Sequence, residues 1–286
     1  MRRVDHVGLL AFALACTAAV AAATQPLVAQ ELPLPLRTAH GRTVTPAYEG
    51  WYENPDGTIA MSFGYYNRNM SEIVEVPLGE NNFVEPAQFD GTQPTTLHPG
   101  RHFGVFAINV PADFDPEARV YWTLEIRGGT YRIPGHLHPD WKIDAIVGEA
   151  GSGNKPPVLK FEADGEEGMG PGGVTGPART TSAGETFEVT VWARDDGAAG
   201  TSVRGSGQPT PVTLTWFKHQ GPGEVAFGEP TGRVPVEGGS ATTSVMFSQP
   251  GEYVLRVRAN DASGVARAGH AQCCWTNGFV KVTVSP

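Results

Sequence analysis

Two short runs hold the histidines best placed to do chemistry in this chain. "LHPGRH" carries His98 and His102, and "GHLHPDW" carries His136 and His138. Residues two apart on an extended segment point the same way, so the imidazoles of His136 and His138 could meet one ion. Copper or zinc is the metal such a set would take, provided the fold brings the two runs together. The plainer reading, and the preferred one, is surface or capping histidines in proline-rich turns. A second constellation is acidic: Asp195 and Asp196 in "RDDG", and Asp261 beside Asn260 in "NDAS". Oxygen ligands of this kind suit calcium, although paired acids beside glycines are ordinarily solvated turns.

The third group is sulfur. Of three cysteines, Cys16 lies in the N-terminal leader, while Cys273 and Cys274 are neighbours followed by Trp275. A ring between adjacent cysteines is the favoured reading, because the mature chain offers neither of them another partner. A shared metal and a crosslink to another chain are the alternatives. A rigid, glycine-flanked loop tip carrying Trp275 would then contact a ligand or partner. Trp192, on the outward phase of its strand, adds a third possibility, carbohydrate binding through Trp192, Trp275 and nearby tyrosines.

The chain contains no G-x-S-x-G, H-E-x-x-H or P-loop motif. "GMGPGG" matches a dinucleotide fingerprint by letter only, since it lies in a proline-containing loop and opens no helix. A net charge of −9 without a basic patch argues against nucleic acid and anionic membranes. No catalytic residue is assigned.

The elements that must position these groups are strands. Residues 1–29 have the basic start, apolar run and small-residue cleavage sites of a secretory signal peptide, so the mature chain is expected to be periplasmic, cell-surface or secreted. No later run is long enough to span a membrane. Residues 30–46 read as an extended leader, 47–147 as a first β-sandwich domain, 148–157 as a Gly/Ser/Pro-rich linker, and 158–286 as a second β-sandwich domain. In the first domain, Ile59, Met61, Phe63 and Tyr65 alternate on one face of a half-buried strand. Phe106, Ile108 and Val110 form another core face. Trp122 sits on a hairpin turned by Gly128-Gly129. In the second, Tyr253, Leu255, Val257 and Ala259 point inward, with Arg256 and Arg258 facing water. The fold class is all-β: two tandem antiparallel sandwiches.

The stretches "TWFKHQGPGEVAF", "SQPGEYVLRVRANDASG" and a closing "VKVTV" resemble a polycystic-kidney-disease (PKD) type domain of the immunoglobulin-like superfamily. The resemblance implies that Trp216 is the core tryptophan of the third strand and Tyr253 the tyrosine-corner residue. Leu255 and Val189 would then fill the places of the missing disulfide. The first domain is similar to bacterial immunoglobulin-like modules in strand pattern only. Such domains are spacers, adhesion modules or parts of surface proteins. The reading is therefore an exported, non-enzymatic binding, adhesion or assembly protein, with an envelope protein or a glycan as partner. The alternatives are a copper- or zinc-binding envelope protein using the first-domain histidines, and a carbohydrate-binding accessory protein.

Overall fold

A computed structural model describes residues 38–143, 154–197, 211–261 and 274–286. Residues 1–29, expected to be a signal peptide, lie outside the described residues, as do Cys16, His270 and Cys273. Among those described, the only helical pieces are two three-residue 3-10 turns, so the chain is all-β. All the described residues belong to one compact unit, built around two large hydrophobic cores and a small third cluster of Tyr52, Ala60 and Ile143.

The N-terminal half is made of β1 (Val44–Glu53), β2 (Ile59–Asn67), β3 (Val74–Glu75), β4 (Asn82–Glu85), β5 (Thr96–Leu97), β6 (Gly100–Val110), β7 (Val120–Ile126) and β8 (Gly129–Gly135). Sheet β1-β2-β6 and sheet β4-β7-β8 share one core, with β3-β5 a short separate ribbon. Phe63 of β2 and Phe106 of β6 stack with centroids 5.5 Å apart, and Trp122 of β7 meets both edge-on. The Trp122 indole N–H donates to the Asn82 Oδ1 at 3.0 Å, and the Asn82 amide donates to the Val76 and Pro94 carbonyls. Asn82 is thus a buried bracket that satisfies the tryptophan and two loop carbonyls at once. The β7–β8 turn is Arg127–Gly128, both at positive φ, and not the glycine pair. Pairing of Ile126 with Gly129 leaves two residues to close it.

The C-terminal half is made of β9 (Val158–Lys160), β10 (Val174–Thr175), β11 (Arg179–Ser182), β12 (Thr186–Arg194), β13 (Val212–Gln220), β14 (Val225–Phe227), β15 (Thr231–Val234), β16 (Gly239–Phe247), β17 (Gly251–Asn260) and β18 (Trp275–Ser285). One sheet runs β14-β16-β12-β9. The other runs β10-β18-β17-β13-β15, with β11 also on β18. This is the immunoglobulin-type strand order. The expected antiparallel sandwich needs one correction: β10 and β11 run parallel to β18. Trp216, Tyr253, Leu255 and Val189 are all buried in the second core. The Tyr253 hydroxyl donates to the Gln249 carbonyl at 2.8 Å, the bond that defines a tyrosine corner.

The ends of the expected leader and linker are built into the fold. β1 begins at Val44, and the carbonyls of Thr38, Ala39 and Thr43 accept backbone hydrogen bonds from residues 68–72. Asn154, Pro156 and Pro157, from the end of the linker, are buried.

Two substitutions test this arrangement. Trp216→Ala should cost about 3–5 kcal/mol in urea unfolding, as loss of a large core aromatic does. Tyr253→Phe removes only the corner hydrogen bond and should cost about 1 kcal/mol.

Candidate functional site: the seam between the two cores

Strand β2 carries the main departure from expectation. Its alternation predicts one wet face, yet Ala60, Ser62 and Gly64 are as buried as Ile59, Met61 and Phe63. Ile143 and Tyr52 pack over Ala60, and the outer face of β1-β2-β6 meets the outer face of β18-β17-β13 at Gly104 and Val105. On those three strands the core phase holds Trp216, Leu255, Val257, Val280 and Val282. The opposite phase holds Phe217 and His219, Arg256 and Arg258, and Trp275 and Asn277, and it forms the seam.

Trp275 is 1% exposed. Its indole N–H donates to the Gly104 carbonyl at 3.2 Å. A Cβ on Gly104 would stand 2.3 Å from the Trp275 Cζ2, and Gly104 has φ +46°, so glycine is required twice over. Beside it the Asn277 amide donates to the Gly104 carbonyl at 2.6 Å and to the Pro171 carbonyl at 2.8 Å, while its Oδ1 accepts from Arg256 at 3.0 Å. Gly104 N in turn donates to the Glu49 carboxylate at 2.9 Å, and Arg101 pairs with Glu49 at 2.6 Å. Burial raises the Glu49 carboxyl to about 7 despite that arginine.

Further along, backbone and side chains interlock. Thr95 N donates to the His219 carbonyl at 2.9 Å, and the Gln220 amide donates to the Gly91 and Gln93 carbonyls. The His219 Nε2 lies 2.9 Å from the Thr92 carbonyl, which fixes the proton on that nitrogen. Lys218 pairs with Glu75 at 2.9 Å. On the other side, Gly172 N donates to the Tyr52 hydroxyl at 2.8 Å.

These positions correct several expectations. Trp275 is no loop tip but a buried bolt between the cores, and Cys274 beside it is fully buried and disulfide-bonded. Arg256 is 2% exposed and Arg258 half-buried, so neither faces water as a one-sheet reading of β17 requires. Trp192 is half-buried beside Lys160.

The four histidines do not form one metal site. His98 and His102 pack on Phe217 in the seam, with ring centroids 5.5 and 6.3 Å from it. His136 and His138 sit elsewhere, against Tyr48 and Trp141 and at the cap of a 3-10 turn. Each of the latter two accepts a backbone N–H at Nδ1, from His138 and Asp140 respectively. Among the described residues no three His, Cys, Asp or Glu side chains are gathered as a metal requires.

Asp196 and Asp261 both lie within electrostatic reach of Asp195. Asp195 and Asp196 line a cleft of about 720 Å³ between the halves, with Glu166, Glu167, Tyr52 and Lys155. Asp261 is buried and accepts from Asn154 at 2.7 Å. Desolvation, then the charges of Asp261 and Asp196, raise the Asp195 carboxyl to about 6. Arg194 neutralises Glu167 at 2.7 Å.

The seam residues left no motif, but they left a signal. Large aromatics on the outward phase, namely Phe217, Trp275 and Phe279, are the mark of a sheet covered on both faces.

No protein-family model matches the chain, and no curated protein matches it. Solved structures similar to it include the D00–D0 domain of intimin, at 11% identity and TM-score 0.26 over 87% of this chain and 96% of that one. The adhesin InvE of Yersinia pseudotuberculosis is 14% identical with TM-score 0.25, over 84% of this chain and 58% of that one. SSP-19, an MSP-domain protein-like family member of Caenorhabditis elegans, is 16% identical with TM-score 0.24, over 38% and 95%. Likenesses of this depth add nothing to the sandwich construction seen directly in the sheets.

Two outcomes are expected. Gly104→Ala should destabilise the protein by about 1–3 kcal/mol and change the Trp275 fluorescence, because the added methyl displaces the indole. Acid should loosen the seam. Burial depresses His98 to about 4, and His102 and His219 to about 3. Unfolded, these imidazoles take protons from about pH 6.5, so their contribution is complete above that pH and is lost as pH falls towards 4 and 3. Glu49 and Asp195, whose carboxyls are raised, work in the opposite sense below about pH 7. Three imidazoles against two carboxyls leave a net fall in melting temperature between about pH 6.5 and 4.5. His219→Gln should flatten that slope, measured by calorimetry across the range.

Proposed function

We propose that this chain is an exported, non-enzymatic β-sandwich protein that binds an envelope protein or joins a surface assembly. The observation that carries the reading is where apolar surface is left uncovered. Of the six large apolar side chains exposed among the described residues, Tyr66, Met70, Ile73 and Leu78 fall in one stretch of the N-terminal half. Met70 is 60% exposed. Side chains of this kind clustered on a stiff frame support contact with a protein partner. The frame is braced by the hydrogen bonds that Trp275, Asn277 and Gln220 make across the seam. No helix among the described residues is long and apolar enough to cross a membrane. A PKD-type assignment of the C-terminal half rests on its tyrosine corner and strand order.

The disulfide of Cys274 is assigned to Cys273 as a ring of neighbours. Its place is next to Trp275, so it would fix the approach of β18 to the seam.

Three measurements test the proposal. Protein recovered after expression of the full chain in a secreting host should begin near residue 30. Retention in the cytoplasm with Met1 intact would overturn the export reading. A photo-crosslinker at Met70 in the native host should give one discrete adduct, and the same group at Thr190, on the outer face of β12, should give none. Equal labelling at both positions removes the binding surface. Peptide mapping of the non-reduced protein should find Cys273 and Cys274 joined within one peptide, with no free thiol. Stoichiometric zinc or copper in the purified protein would replace this reading with a metal-binding one.

A further inference from the structure

Among the described residues, the seam holds two guanidinium groups that form no ion pair with a carboxylate. Arg256 reaches across β17 with its Cζ 4.4 Å over the Phe217 ring, and Arg258 stands over the same ring at 5.5 Å. One nitrogen of Arg256 donates to Asn277 and the Nε of Arg258 donates to Asn260, both neutral amides. The Arg256 Nε–H has no partner, and the side chain is 2% exposed. Two carboxylates approach from the surrounding strands, and each is already committed. Glu49 of β1 pairs with Arg101, and Glu75 of β3 pairs with Lys218. The remaining ionisable groups facing the cluster are His98, His102 and His219, together with Tyr65, whose hydroxyl accepts from His98 N at 2.9 Å. None of these supplies a negative charge at neutral pH.

Burying a guanidinium without an anion is costly, and buried arginines are ordinarily paired. A cation–π contact offsets part of that cost but supplies no acceptor for the N–H groups. On a protein of net charge −9, an uncompensated pair of arginines at one ring is a local reversal of sign. The histidines supply a second function. His98, His102 and Arg258 are half-buried, whereas Arg256 is buried. The His102 Nε2–H is held by the Pro99 carbonyl at 3.0 Å, leaving Nδ1 buried and unpartnered, and the His98 Nε2 is unpartnered too. A proton on either of those nitrogens makes it a further donor in the same place.

We propose that the Phe217 cluster is an anion-binding site, in which Arg256, Arg258 and His102 hold a small oxyanion between the two cores. The ligand is recognised as a charge accepting several N–H donors, as guanidinium groups recognise carboxylate, sulfate or phosphate. Proton and anion bind together there, because each removes the penalty the other meets. Occupancy ties β17 to β6 across the seam.

Inorganic sulfate is the probe. Isothermal titration of the full mature chain, with ionic strength held constant by sodium chloride, should show saturable binding of one sulfate. Binding should be tighter at about pH 5.5 than at about pH 7.5, since His102 is protonated in the complex. Arg258→Gln, a half-buried position, should weaken it about tenfold or more, the loss of one charge-assisted contact. His102→Gln should remove the pH dependence. Arg256→Met should abolish binding, with near-UV circular dichroism reporting whether the seam is intact; if that variant does not fold, Arg258→Gln and His102→Gln decide. Absence of saturable binding, or equal affinity in wild type and Arg258→Gln, overturns the proposal and leaves water as the partner of the Arg256 Nε.

Discussion

The indole of Trp275 rests on Gly104, and from that contact follow the burial, charge and titration of the residues around it. The ring can lie there because Gly104 has no side chain and a left-handed backbone. Once it does, the outer phase of β18 is committed to the outer face of β6. Each strand beside them is then covered in turn. β2 loses its wet face, β17 turns Arg256 inward, and β13 delivers Phe217 and His219 to the same surface. Two sandwiches that would each be half-wet become one body with a polar interior layer.

Directional hydrogen bonds run through that layer. Asn277 bridges Gly104, Pro171 and Arg256, and Gln220 caps two carbonyls from the opposite half. Such bonds are directional, so they fix orientation, and their loss leaves buried groups unsatisfied. The same desolvation that makes them strong holds the three seam histidines neutral. The fixed orientation of the seam and the neutral state of its imidazoles therefore have one physical origin, the exclusion of water.

The cores were legible in the sequence because period-two alternation reports a buried face wherever the other face is polar. Trp216, Tyr253, Leu255 and Trp122 could be placed that way. The seam was not legible, because alternation says which residues share a face and nothing about what lies across from it. Arg256 on the phase opposite Leu255 reads as a solvent-facing charge until a second sheet covers it. His98 and His102 could be paired with each other by spacing, but not with Phe217, which is more than a hundred positions away. Trp275 was misplaced for a local reason: a cysteine pair and glycines suggest a loop, and the strand that begins at the tryptophan takes its partners from β17 and from the other half. Asn82 and Gly104 carried no signal of their own, since an asparagine in a turn-rich stretch and a glycine in a strand are both commonplace.

Strand β18 completes three structures at once. It pairs with β17, it receives β10 and β11 in parallel, and it brings Trp275 and Asn277 to the seam. Every partner it touches precedes it in the chain. Its Val280, Val282 and Val284 belong to the second core, so neither that core nor the seam can close before β18 is in place. Until β18 arrives, the aromatic and guanidinium groups of β13 and β17 stand uncovered, and so does the outer face of β2. Closure of the second core and of the seam is thus a single event, set by the arrival of one strand.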